Sequence, residues 1–197
     1  MTLIIEENKN TNRVPRVPEG RHKARCVKII DLGSQKQTFG EGGWKKKYMF
    51  IFEFPEILKD NNEPETLSNW YTQSLYEKSN LAKDLTSWRG RALTQTEKNR
   101  FDVTSLLGDP CEVDVISKND KPKINYIAKI KDEEPMPEQI IPSFFFSISE
   151  YLNGHREKFN QLSEGIRNIV LKSQELQEQD INDIGTSDMN SDDQVPF

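Results

Sequence analysis

Trp44 is followed at once by Lys45, Lys46 and Lys47, with Lys36 and Phe39 a few residues upstream. A large ring beside clustered ammonium groups has two uses that go together: the π-face stacks on a flat heterocycle, and the cations neutralise phosphates. The pairing recurs at Trp70-Tyr71, at Trp88-Arg89-Gly90-Arg91, and in Lys121, Lys123 and Tyr126, while Arg25 and Lys28 add cations nearer the N-terminus. A second chemistry sits at the other end, in Asp192-Asp193-Gln194-Val195-Pro196-Phe197. There Phe197, its own α-carboxylate and the turn-forming Pro196 make a peptide hook. It suits an apolar pocket rimmed by Arg or Lys, since Asp192 and Asp193 add charge-assisted hydrogen bonds.

The charges are segregated along the chain. From Glu175 onward there are seven acidic residues and no basic ones, so the net −5 divides into +2 for the body and −7 for the tail. Between Arg13 and Lys47, ten basic residues face three acidic ones. A basic front and an acidic tail point to a polyanion ligand and a cationic partner.

Other classes find less support. His22 and His155 stand alone, and Cys26 and Cys111 lack the neighbours of a zinc site, so they read as buried small hydrophobes. Gly40-Glu41-Gly42-Gly43-Trp44-Lys45 does not have phosphate-loop spacing. Carboxylates such as Glu53, Asp102 and Asp114 leave a nuclease open as a lesser alternative, but no cofactor or metal is implied. Neither a membrane span nor a signal peptide is visible, so the expectation is a soluble, cytoplasmic protein with no membrane partner.

The elements that must position these residues follow from periodicity. Residues 1–18, with Pro15 and Pro18, read as an arm. A first strand is predicted over Arg21 to Leu32, where Lys28 interrupts one apolar face, and a glycine-containing loop over Gly33 to Gly43. Tyr48, Phe50, Phe52 and Phe54 share one parity of a second strand and predict a core-facing row, which sends Lys45 and Lys47 outward; Pro55 is expected to end it. Trp44 shares the parity of the row but follows Gly43 at the strand's mouth. In a third strand over Thr66 to Ser74, Trp70 and Tyr71 must point opposite ways, and polar Ser68 and Thr72 beside Trp70 favour Trp70 as the exposed ring. Leu81, Leu85 and Trp88 predict a helix stopped by Gly90, and Thr94-Gln95-Thr96-Glu97 matches a capping box. Strands over Cys111 to Ser117 and Lys123 to Lys131 complete the count.

Strand, strand, strand, helix, strand, strand is the connectivity of the OB-fold, a five-stranded barrel with a helix between strands three and four. After it, Glu133 to Ser143 is proline-containing and expected to run extended over the barrel. Ser147-Ile148-Ser149-Glu150 matches another capping box. Phe159, Leu162, Ile166, Ile169, Val170 and Leu176 predict one amphipathic helix from His155 to about Glu178, packed on its own chain or on a second copy in a homodimer. The divisions expected are thus an arm (1–18), an OB domain (19–132), an extension with a C-terminal helix (133–178) and a disordered acidic interaction tail (179–197).

Four segments carry a resemblance: Ala24-Arg25-Cys26-Val27 through Asp31-Leu32-Gly33, Tyr71 through Ser79, Ser87-Trp88-Arg89-Gly90-Arg91, and Phe101-Asp102 through Leu106-Leu107-Gly108. They are similar to a group of small tailed-phage single-stranded-DNA-binding proteins with an OB core. The C-terminal tip resembles the acidic tail of bacterial and phage single-stranded-DNA-binding proteins, with Gln194 and Val195 where Asp and Ile are common. The resemblance implies a role in phage DNA replication or recombination in an infected bacterium, with the tail recruiting replication, recombination or repair enzymes. It departs from bacterial housekeeping versions in lacking a Gly- and Gln-rich linker. The combined expectation is a non-enzymatic, sequence-tolerant binder of single-stranded DNA; the alternative is an OB-fold adaptor that binds protein through its tail and no DNA.

Overall fold

A computed structural model describes residues 16–38, 42–131, 135–136 and 138–179. The strands β1 (Gly20–Lys36), β2 (Trp44–Leu58) and β3 (Pro64–Thr72) precede α1 (Asn80–Arg89), α2 (Gln95–Asn99) and a 3₁₀ turn at Val103–Leu106. Then come β4 (Pro110–Lys118), β5 (Lys121–Ala128), β6 (Phe144–Phe146), α3 (Ile148–Leu152), α4 (Glu157–Asn160) and α5 (Glu164–Val170), and residues 174–179 are helical again. The sheet order is β3-β2-β1-β4-β5, antiparallel throughout, with β6 running parallel along β1.

The expected order of elements is present, but the expected closed barrel is not. Among the described residues no ladder joins β3 to β5. The fold is a mixed, mostly antiparallel six-stranded sheet with a helix after β3. That helix packs on both β3 and β5, and Leu81, Leu85 and Trp88 enter the core there. Its C-terminal end is as the sequence predicts, with Gly90 at a left-handed φ of 67°; at its start, the Ser79 hydroxyl accepts the Ala82 N–H. The predicted capping box of α2 also forms, between Thr94 and Glu97.

Phe50, Phe52 and Phe54 fill the main core and Tyr48 lines its margin, as the period-2 pattern requires. Pro55 does not end β2. It is buried within the strand, which continues to Leu58 through an irregularity between Phe54 and Leu58, where a missing N–H removes no ladder bond. On β1, register shifts at Cys26/Lys28 and Asp31/Gly33 explain why the apolar pattern breaks at Lys28. Each bulge adds a residue and resets which parity faces the core. Ala24, Cys26 and Ile29 therefore face one core, and Ile30 and Leu32 another. Val17, expected in a free arm, is buried in the main core.

The second core is made by the extension. Phe146, Ile148, Leu162, Val170 and Leu176 cover Ile30, Leu32 and Met49, with Phe159, Ile166 and Ile169 at the margin. The expected single helix from His155 to Glu178 is broken into α4, α5 and the helical segment 174–179. A straight helix of that length would run roughly 36 Å and touch the sheet only in its middle, whereas short segments bend around it. The capping box expected at Ser147 is not made: its hydroxyl pairs with that of Ser149, and Glu150 accepts from Lys158 instead.

Two carboxylates hold the extension down. Glu53, fully buried on β2, accepts the N–H groups of Ile140 at 3.0 Å and Ile141 at 2.7 Å. Glu175 accepts the backbone N–H and the hydroxyl of Ser34, each at 2.8 Å. Burial raises the Glu175 pKa, but hydrogen bonds from Ser34 and its own backbone N–H, with the charge of Lys46, together outweigh it and keep the carboxyl below its ordinary range. Gly33, at φ +68°, permits this approach; a Cβ there would stand 2.7 Å from Ile148 Cδ1 and Ser173 Cβ.

Candidate nucleic-acid interface

The ladder between β2 and β3 sets Lys47 opposite Thr72, Met49 opposite Trp70 and Ile51 opposite Ser68. Paired residues share a face, and so do alternate residues of one strand, so Trp70, Lys47 and Lys45 stand on the outer face of the sheet. Trp70 is 44% exposed and Tyr71 beside it 1%. The Lys47 ammonium donates to Thr72 Oγ1 at 2.7 Å. Burial, and then the charge of Lys45, lower its pKa from the ordinary lysine value. Neither lysine has a carboxylate within ion-pair distance among the described residues. A ring in the open beside two unneutralised cations can stack on a base and hold a phosphate.

The structure separates the other candidates. Trp44 is 38% exposed and lies opposite Lys36 at the end of the β1–β2 ladder, on the face opposite to Lys45. Phe39 and the tail residues Asp192, Asp193, Val195, Pro196 and Phe197 lie outside the described residues. Lys28 sits 5.8 Å over the ring of Phe144, beside the extension. Lys121 and Lys123 are exposed on the β4–β5 hairpin, whose turn residues Asn119 and Asp120 both take positive φ. Tyr126, on that hairpin, is half-buried under the guanidinium of Arg21.

Four candidates have structural occupations. Tyr71 belongs to the core, where its hydroxyl donates to Asp84 at 2.7 Å and its ring packs on Phe50. It cannot stack on a base, because strand alternation gave the outward position to Trp70. Arg25 is half-buried and donates to the Gly108 carbonyl at 2.7 Å. Arg89 and Arg91 both bind Glu97, whose pKa they and the Thr94 N–H hold far below the ordinary range; Arg89 also lies over Phe101. These two arginines clamp α2 to the end of α1. Tyr71→Phe should lower stability in urea unfolding by about 1–2 kcal/mol, through the lost hydrogen bond to a half-buried carboxylate. It should leave oligonucleotide affinity unchanged in the same preparation.

Beyond Lys47, the outward face of β2 does not stay open. Met49 and Glu53 are buried and Ile51 is partly covered, all beneath the extension. The apolar character of Met49 and Ile51 on the nominally outer parity was the sequence signal for that cover. Tyr76, 62% exposed in the β3–α1 connection, was not singled out from the sequence. Its chain leaves the sheet beside Lys46, whose carbonyl accepts the Gln73 N–H. An aromatic residue in a mostly polar connection, Ser74 to Ser79, was the available sign.

The carboxylates first considered for a nuclease lie in separate structural roles. Glu53 binds the extension, Asp102 accepts from Thr104, and Asp114 accepts from Asn125. Compared with known proteins, the chain matches no family model and no curated sequence.

Proposed function

We propose that this protein binds single-stranded DNA without sequence preference, as a binding protein and not an enzyme. The observation that carries the reading is the outer face of β2–β3, where the exposed Trp70 shares its face with Lys47 and, one step further along β2, Lys45. Stacking is indifferent to base identity and the phosphate contacts are non-specific, so such a face accepts any single strand. The OB-like order of strands and helix supports the reading, since OB-folds present ligands on their second and third strands. The acidic tail, by its residue types, would recruit replication or recombination enzymes through a basic, apolar-floored pocket.

A titration with poly-deoxythymidine, following the fluorescence of the three tryptophans at low and moderate salt, tests this. Strong quenching that weakens with salt is expected. Lys45→Ala with Lys47→Ala should lower the slope of log K against log salt by about 1.4, the amount for two phosphates of a single strand. No binding and no quenching would leave the chain as an adaptor acting through its tail.

A further inference from the structure

Between the outer face of β1–β2 and the start of α5 lies a groove of about 390 Å³. That is within the roughly 300–1,000 Å³ typical of small-ligand clefts. Ile51, Phe144 and Ile166 supply apolar walls, and Lys28, Gln161 and Ser163 supply polar groups. Its lining contains a cation and, among the described residues, no carboxylate. We infer that this groove is a nucleobase pocket, in which a base of the bound strand enters between Phe144 and Ile166 while Lys28 takes an adjacent phosphate. The inference rests on the single-stranded-DNA reading and adds a site to it.

Three observations favour this occupant. Continuity comes first: Ile51, on the groove wall, is directly opposite Ser68, and Ser68 is two residues from Trp70 on the same face of β3. Two residues of a strand span roughly 7 Å, so a base stacked on Trp70 has the groove within reach of a near neighbour in the same strand. Charge is the second. Lys28 stands over Phe144 at 5.8 Å, which sets an ammonium beside a ring, the combination that a nucleotide needs. The third is composition: Gln161 offers an amide and Ser163 a hydroxyl, both able to meet a base edge as donor or acceptor, so that the pocket does not demand one base. The extension is then part of the binding face as well as its cover.

The test uses the full chain, a labelled oligodeoxythymidine, and the same oligonucleotide carrying 5-iodouracil. Ser163 is exposed and makes no side-chain cap at α5, so Ser163→Tyr can fill the groove mouth without removing a structural bond. Anisotropy titration should show this variant binding roughly tenfold more weakly, the scale of one lost base contact. Irradiation of the wild-type complex with the iodinated strand should cross-link a peptide containing Phe144, and Ser163→Tyr should suppress that product. If the wild type binds and quenches but no cross-link reaches Phe144, the groove is not a base site and the single-stranded-DNA reading stands. If the cross-link forms while Ser163→Tyr binds normally, the groove holds a base and the added ring is merely tolerated. Absence of any binding by the wild type would overturn both.

Discussion

Trp70→Ala is expected to weaken binding to poly-deoxythymidine by about 10- to 100-fold and to remove most of the fluorescence quenching. The loss of one stacked base is worth about 1–3 kcal/mol, and every 1.4 kcal/mol is tenfold in affinity. Folding should hardly change, because Trp70 is 44% exposed and its neighbours Ser68 and Thr72 are polar. Trp70→Phe should recover much of the binding, since a phenyl ring still offers a π-face. Trp44→Ala should cost less, because Trp44 stands on the opposite face of the β1–β2 ladder from Lys45 and Lys47. Equal affinities for Trp70→Ala and wild type, with unchanged salt dependence, would remove this face as the binding surface.

Glu53→Leu should destabilise the fold by about 2–4 kcal/mol in urea unfolding. The carboxylate is fully buried and is the acceptor for two successive amides, those of Ile140 and Ile141. Each of these part-buried N–H groups left without an acceptor costs at most about 1–3 kcal/mol, offset in part by no longer burying a carboxylate. Glu53→Gln keeps one acceptor oxygen and should fall between. Hydrogen exchange would locate the effect: the amides of Ile140 and Ile141 should lose protection first, ahead of the β2–β3 ladder. Protection at those amides equal to wild type in Glu53→Leu would show that the extension is held by its apolar contacts alone.

The legible parts of the chain were those governed by local rules. Alternation predicted that Phe50, Phe52 and Phe54 fill a core and that Trp70, not Tyr71, faces out. Helical spacing and a glycine predicted α1 and its end at Gly90; Thr94 and Glu97 predicted a capped turn. What escaped was set by partners distant in sequence. Arg25, Arg89 and Arg91 looked like phosphate ligands, and the fold commits them to Gly108 and Glu97. The bulges on β1 could not be read from a pattern that they themselves interrupt.

By itself, the sequence determined the order of strands and helix, the inward aromatic row, the outward Trp70 and the concentration of acid after residue 175. Those follow from backbone geometry and side-chain type over a few neighbouring residues. Only the tertiary structure decided that the sheet stays open between β3 and β5, that the expected C-terminal helix breaks into short segments, and that the extension covers Met49 and Glu53 while leaving Trp70 bare. The reason is physical: an apolar stripe needs burial but does not specify its partner. Which surface it finds depends on the curvature of the sheet and on two acceptors, the buried Glu53 and the half-buried Glu175, meeting donors 87 and 141 residues away.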